Sequence, residues 1–366
     1  MKISRRQTMM LPLFLTMSAA FIFGYIDQIL PLNFERLHIF LFNLTSGGFT
    51  ILYLTSGKKR PSTRIALFYI ISIAFALLAF IKLYLPAAVC GVVLAVIVET
   101  YRLERFSFFP SMFFRIKDPA SAKFHHASLL CLVIALLMSS FVIINEVYLN
   151  LFHFEKLTLD VFFLGFSFPV SLITMSIMFG IIENKDVRWL PAAEHAFFWL
   201  ICGGVIIFFI FIIMKSFAGE VFISFTLFFT VVMIFAVFFR YGRRIQQKYF
   251  LVSGIYFLMA TAVTGILYIL MKHFSYNEFH GKLVLRMHAF YSLYGWNLTG
   301  MMVITKWEDF PIALNTGKAI FFHWCVILIL APLAKFYPVL AIPAIVSYLG
   351  FIAVFFFSRN RIKKEV

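Results

Sequence analysis

Apolar runs of close to twenty residues recur along the whole chain, and they decide what it can fold into. They lie at roughly 9–26, 37–55, 65–85, 86–101, 125–150, 161–182, 194–214, 219–239, 249–271, 287–305, 319–334 and 337–357. A hydrocarbon core about 30 Å thick is crossed by about 20 residues of α-helix. Inside it every backbone N–H and C=O must find a protein partner, and a helix supplies one within the segment. The runs do not alternate apolar and polar residues, so a transmembrane β-barrel is excluded. The expectation is an all-α, polytopic membrane protein, with about twelve transmembrane helices in a single integral membrane domain, residues 1–366.

Composition agrees. Hydrophobic residues make up 62% of the chain and charged residues 13%, and 50 residues are Phe. A soluble protein of this size could not hide so much apolar surface. A net charge of +16 would suggest nucleic acid in a soluble chain. Here the basic residues orient helices instead. With the N-terminus in the cytoplasm, 24 of the 32 Lys and Arg fall in the segments on the inner side and 8 on the outer. That bias predicts both termini cytoplasmic, in the cell's inner (cytoplasmic) membrane. Membrane lipid is then the surrounding partner, and nucleic acid is not one. The basic start followed by an apolar run imitates a signal peptide, but no clean cleavage site follows, so a retained first helix is expected. Cys90, Cys131, Cys202 and Cys325 are scattered through apolar runs and read as packing residues. The loop 102–124, basic and aromatic, is expected along the inner surface.

The polar residues inside the runs carry the functional question. The segment 285–302, LRMHAFYSLYGWNLTGMM, keeps His288 at the head of an apolar, aromatic stretch. On the expected topology His38 opens span 2 and His288 opens span 10, both near the outer face. His153, His273 and His280 lie in outer loops. Two imidazoles on two helices at matching depth are what a six-coordinate haem needs. Gly47, Gly48 and Gly295 offer room for a macrocycle, and Phe40, Phe42, Phe290, Tyr291, Tyr294 and Trp296 offer apolar walls. Arg36 and Arg286 each precede one of these histidines by two residues. Their guanidinium groups would pair with haem propionates, or else snorkel to lipid headgroups. A helix end at the interface is also an inexpensive place for a histidine with no ligand role.

This layout resembles subunit I of the haem–copper oxidases and the NnrS-like haem membrane proteins. The resemblance rests on twelve spans with an inside N-terminus, and on "RLHIFLFNLTSGG" and "RMHAFYSLYGW" at the positions of the family's low-spin haem ligands. It implies haem on His38 and His288. The chain also departs from the family. Arg286 stands where the ligand of the oxygen-reducing haem would be. Phe168 precedes Pro169 in "SFPVSLI", where the family has a copper-binding His. Paired copper histidines are missing from span 7. A proton path would need carboxylates or Lys in mid-membrane, and the middle of span 8 has none. The resemblance therefore implies a relative keeping one haem or none, without oxygen reduction.

A second group, His125, His126, His195 and His323 with Glu99, is expected at the inner ends of spans 4, 5, 7 and 11. His126, His195 and His323 suit iron, zinc or manganese, or a second haem; equally, they are helix-end polar groups that pair with one another. Adjacent His125 and His126 cannot face the same way on a helix. Asn43, Asn145, Glu146 and Asn297 are expected to hydrogen-bond between helices. "NLTSGG" at 43–48 and "NLTGMM" at 297–302 look alike, but in so biased a composition the likeness reads as coincidence. The leading functional expectation is a haem-binding protein of electron-transfer or gas-sensing type, with respiratory electron-transfer proteins as partners. The alternatives are a twelve-span transporter or permease and a non-catalytic membrane assembly subunit. Phosphate-loop, nucleophile-elbow and zinc-protease motifs are absent from the sequence.

Overall fold

The computed structural model describes residues 7–26, 34–58, 60–151, 155–183, 187–274 and 277–358. Among them the helices run as successive rods: α1 Gln7–Ile26, α2 (35–56), α3 Thr63–Phe80, α4 Tyr84–Arg105, α5 Ala120–Leu149, α6 Glu155–Gly180, α7 Leu190–Ile213, α8 Phe217–Tyr241, α9 Gln246–Phe274, α10 (278–306), α11 Thr316–Ala334 and α12 Ala341–Phe357. No strand occurs among the described residues, apart from an isolated bridge between Ile182 and Gly242. Nine of the described helices are long and apolar enough to cross a membrane, and the all-α membrane class follows.

Local sequence explains the ends. Ser62, Asn277 and Asn315 cap α3, α10 and α11, their side chains accepting from backbone N–H groups of the first turn. Gly57 ends α2 at φ +60°, a left-handed conformation that costs glycine little. The tenth rod begins earlier than the expected 287: Asn277 starts it at Glu278, and Glu278 pairs with Lys282 one turn on. This first part is amphipathic, which is why an apolar window misses it.

Four of the described rods contain a wide turn closed by i→i+5 bonds. These are Phe40–Gly47 in α2, Asn145–Leu149 at the end of α5, Tyr291–Asn297 in α10 and Cys325–Leu330 in α11. The wide turn of α10 packs against those of α2 and α11.

The rods form three arcs: α11–α12–α1–α2, α3–α4–α5–α6 and α7–α8–α9–α10. The last helix of each arc, α2, α6 and α10, meets the other two at the centre. Burial follows this order: 83% of the apolar window of α2 is buried, against 22% of that of α7. Outward positions such as Ile70, Val96, Ile206 and Phe222 stay apolar and exposed, as lipid-facing surface requires.

Candidate functional site

At the centre the three inner helices are tied by side chains. The Asn297 amide donates to Asn43 Oδ1 at 3.1 Å and to Ser167 Oγ at 2.8 Å. Ser171 donates to Asn297 Oδ1 at 3.1 Å, and Trp296 Nε1 donates to Ser171 Oγ at 2.9 Å. Asn43 and Asn297 are buried. Pro169 interrupts the ladder of α6 here, and Ser128 of α5 donates to its carbonyl at 2.7 Å. Interhelical bonds of this kind average about 0.6 kcal/mol each in a membrane. Asn297→Ala removes three of them and is expected to cost about 2 kcal/mol. Asn43→Ala removes one and costs about a third as much. Thermal unfolding of the purified variants checks the order; equal losses would remove Asn297 from the hub of the node.

That node provides a ruler for the histidines. His38 lies five residues before Asn43, and His288 nine before Asn297. At about 1.5 Å per residue, His288 stands about 6 Å farther from the crossing than His38. The two rings also face differently. His288 Nδ1 donates to the carbonyl of Thr261 on α9 at 2.9 Å. A Cβ on Gly265, also in α9, would lie 3.2 Å from its Cε1. His38 instead lies beside α1: its Cγ is 4.0 Å from the place a Cβ on Gly24 would take, and Tyr294 Oη is 3.7 Å from that same place. The α10 side chain that reaches the surroundings of His38 is therefore Tyr294, not His288. The wide turn at 291–297 presents Tyr294 on the α1 side.

The space there is filled. Tyr294 meets Phe21 edge-on at 4.8 Å, Phe42 at 4.9 Å and Tyr348 at 5.4 Å, and Phe21 stacks on Tyr348 at 3.8 Å. Phe21, Phe42, Tyr294 and Tyr348 are all buried. In this packing aromatic side chains fill the space beside His38, and His288 turns to α9, so the structure does not bring the two rings to a shared slot. Arg36 and Arg286 are exposed. Arg286 continues the polar stripe of Glu278 and Lys282, four residues apart, on the amphipathic start of α10.

Nothing among known proteins decides the matter. No family model, curated protein or solved structure matches this chain. The site has to be argued from its own chemistry.

The second histidine group separates into three settings. His126 Nε2 accepts from Arg102 Nη1 at 2.8 Å, because a guanidinium only donates. Its lone pair is thus taken, and the ring proton sits on Nδ1. Phe106 stacks on this ring at 4.7 Å. His195 Nδ1 meets Lys123 Nζ at 2.6 Å. His323 lies well inside α11, where its Nε2 donates to the Tyr294 carbonyl at 2.8 Å and its ring stacks on Phe351 at 4.5 Å. Among the described residues no three His, Cys, Asp or Glu side chains converge as a metal ion requires. A metal shared by His126, His195 and His323 is therefore not supported, since cationic donors occupy two of the rings and the third is on another arc. The reading of helix-end polar groups that pair describes His126 and His195. His153 lies outside the described residues.

Sequence reasoning overlooked three participants. Arg102 and Lys123 were counted only as orienting charges, yet they are buried and hold His126 and His195. Tyr294 was read only as a wall. The repeated "NLT" was the available signal for the node, since its two asparagines bond each other.

Proposed function

We propose that the chain is a rigid membrane assembly subunit. In this reading all twelve rods cross the bilayer in the oxidase-subunit-I-like order, with the Arg102 end cytoplasmic, and no haem is carried between spans 2 and 10. The observation that supports it is Tyr294 and its aromatic neighbours closing the space beside His38. The bias of Lys and Arg toward one face supports the orientation. A rocking transporter is less well supported, because α2, α6 and α10 meet through buried small residues and a shared hydrogen-bonded node.

The experiment is a visible spectrum of the detergent-purified chain, with and without dithionite. The expected result is a colourless, folded protein. A stoichiometric reduced α-band abolished by His288→Ala would overturn the proposal.

One observation favours a second reading, a haem protein of electron-transfer or gas-sensing type that exchanges electrons with respiratory partners. His288 donates Nδ1–H to Thr261 O, which leaves Nε2 as the basic nitrogen. Histidines that ligate a metal are commonly oriented in this way by a carbonyl. In that reading His288 supplies an axial nitrogen and Thr261 fixes its tautomer. A band lost in His288→Ala but kept in His38→Ala would favour a single histidine ligand; loss in both would restore the pair.

A further inference from the structure

A cavity of about 250 Å³ opens where α2, α3 and α4 end on the face bearing Arg102, lined by Thr55, Ser56, Lys58, Arg64, Tyr101, Glu104 and Arg105. Three of these side chains are cationic and one is a carboxylate. Glu104 is already engaged with Arg64 at 2.6 Å. Arg105 spends one nitrogen, Nη1, on the Thr55 carbonyl at 3.0 Å, which fixes its guanidinium at the rim while its other N–H groups remain. Lys58 is exposed just beyond the end of α2. Tyr101 is buried, with its hydroxyl bonded to Ser62, the capping residue of α3, so the wall is ordered. A site with this excess of donors and positive charge takes a phosphate-type anion.

The helices that form the cavity also say which phosphate. Directly beside it, α3 and α4 expose an apolar ridge: Leu67 and Ile70 on α3, Val96 and Leu103 on α4, from 45% to 63% exposed. Leu67 is one turn from Arg64, and Leu103 two residues from Arg105. A free anion has no use for such a ridge, whereas an acyl chain hanging from a bound headgroup would lie along it. Basic pockets between helix ends are recognised lipid headgroup sites. We propose that this cavity binds the headgroup of an anionic phospholipid, with Lys58 and Arg105 contacting the phosphate and the chains packed on the α3–α4 ridge. The site is independent of the haem question and of the assembly role.

The test uses the full chain in detergent, titrated with phosphatidylglycerol or phosphatidylcholine and read by native mass spectrometry. The wild type is expected to bind one phosphatidylglycerol in preference to phosphatidylcholine. Removing one cation near a membrane surface is expected to weaken binding by about fivefold, in Lys58→Gln and in Arg105→Gln alike. Lys58 is exposed, so its replacement leaves the fold intact even if Arg105→Gln disturbs the end of α2. Arg243→Gln, on the same face but paired with Glu183, serves as the control and should bind as wild type. Equal binding by wild type and Lys58→Gln would overturn the proposal. So would displacement of the lipid by millimolar inorganic phosphate, which would assign the cavity to a free anion.

Discussion

Arg102→Met is expected to lose about 3–5 kcal/mol of stability, the range for removing one partner of a buried charge pair. The reason is the number of groups that the guanidinium satisfies at once. Its Nε and Nη2 donate to the two Glu99 oxygens at 2.7 and 2.6 Å, a bidentate pair. Its Nη1 serves the carbonyls of Ser107 and Phe108 at 3.1 Å and His126 Nε2 at 2.8 Å. Arg102 is 2% exposed and His126 is buried, so water cannot replace the bond between them. Glu99, 26% exposed, and the surface carbonyls of Ser107 and Phe108 regain some water, which sets the loss at the lower end of the range. After the substitution Glu99, two carbonyls and an imidazole lose their donor together. Lysine keeps the charge but not the planar fork, so Arg102→Lys should fall between wild type and Met. Glu99→Gln in the Arg102→Met background should recover part of the loss, because the stranded carboxylate is then neutral. Thermal or denaturant unfolding in one detergent measures all four proteins. A loss in Arg102→Met no larger than that of Arg243→Gln, whose side chain is exposed, would mean that this network adds nothing to the fold.

That network also shows how far the sequence could be read. The apolar runs placed the helices well, because their length answers to the bilayer and to nothing else in the chain. The exception was α10, whose first ten residues carry Glu278, Lys282 and Arg286 on nearly three amphipathic turns beyond the apolar window. The depth of Glu99 and His126 was legible too, since both lie near the ends of their helices. Direction was not legible. Whether His288 faces α2 or α9 depends on helix rotation, and a wide turn such as 291–297 changes that rotation for every residue beyond it. No composition marks such a turn: "YSLYGWN" reads as ordinary helix. The same turn that presents Tyr294 to His38 shows why two histidines at corresponding places in the sequence need not face one another in three dimensions. The "NLT" likeness was the reverse case, a real contact discounted because the letters were common.

The second large effect is expected where α6 meets its two central neighbours. Val170 and Thr174 stand one turn apart on α6, and each fills the place of a missing side chain. A Cβ on Gly47 of α2 would fall well inside the radius of Val170 Cγ2, and one on Gly300 of α10 inside that of Thr174 Oγ1, with Thr174 Cβ and Cγ2 at 2.8 Å. One ridge of α6 thus enters two glycine grooves, the close approach that drives helix association in membranes. Overpacking such a contact costs about 1–3 kcal/mol, and more where backbone must move. Gly300→Ala should sit at the upper end, because the atoms it meets are close to the α6 backbone. Gly47→Ala meets only the tip of a valine. Val170→Ala opens a small void on its own, yet the pair Gly47→Ala with Val170→Ala should be less destabilised than the two singles summed. Unfolding midpoints of the singles and the double provide the cycle. Strict additivity would mean the ridge does not sit between the grooves. A Gly300→Ala protein as stable as wild type would mean α6 can slide past α10, and the rigid-subunit reading would then yield to a transporter whose central helices move.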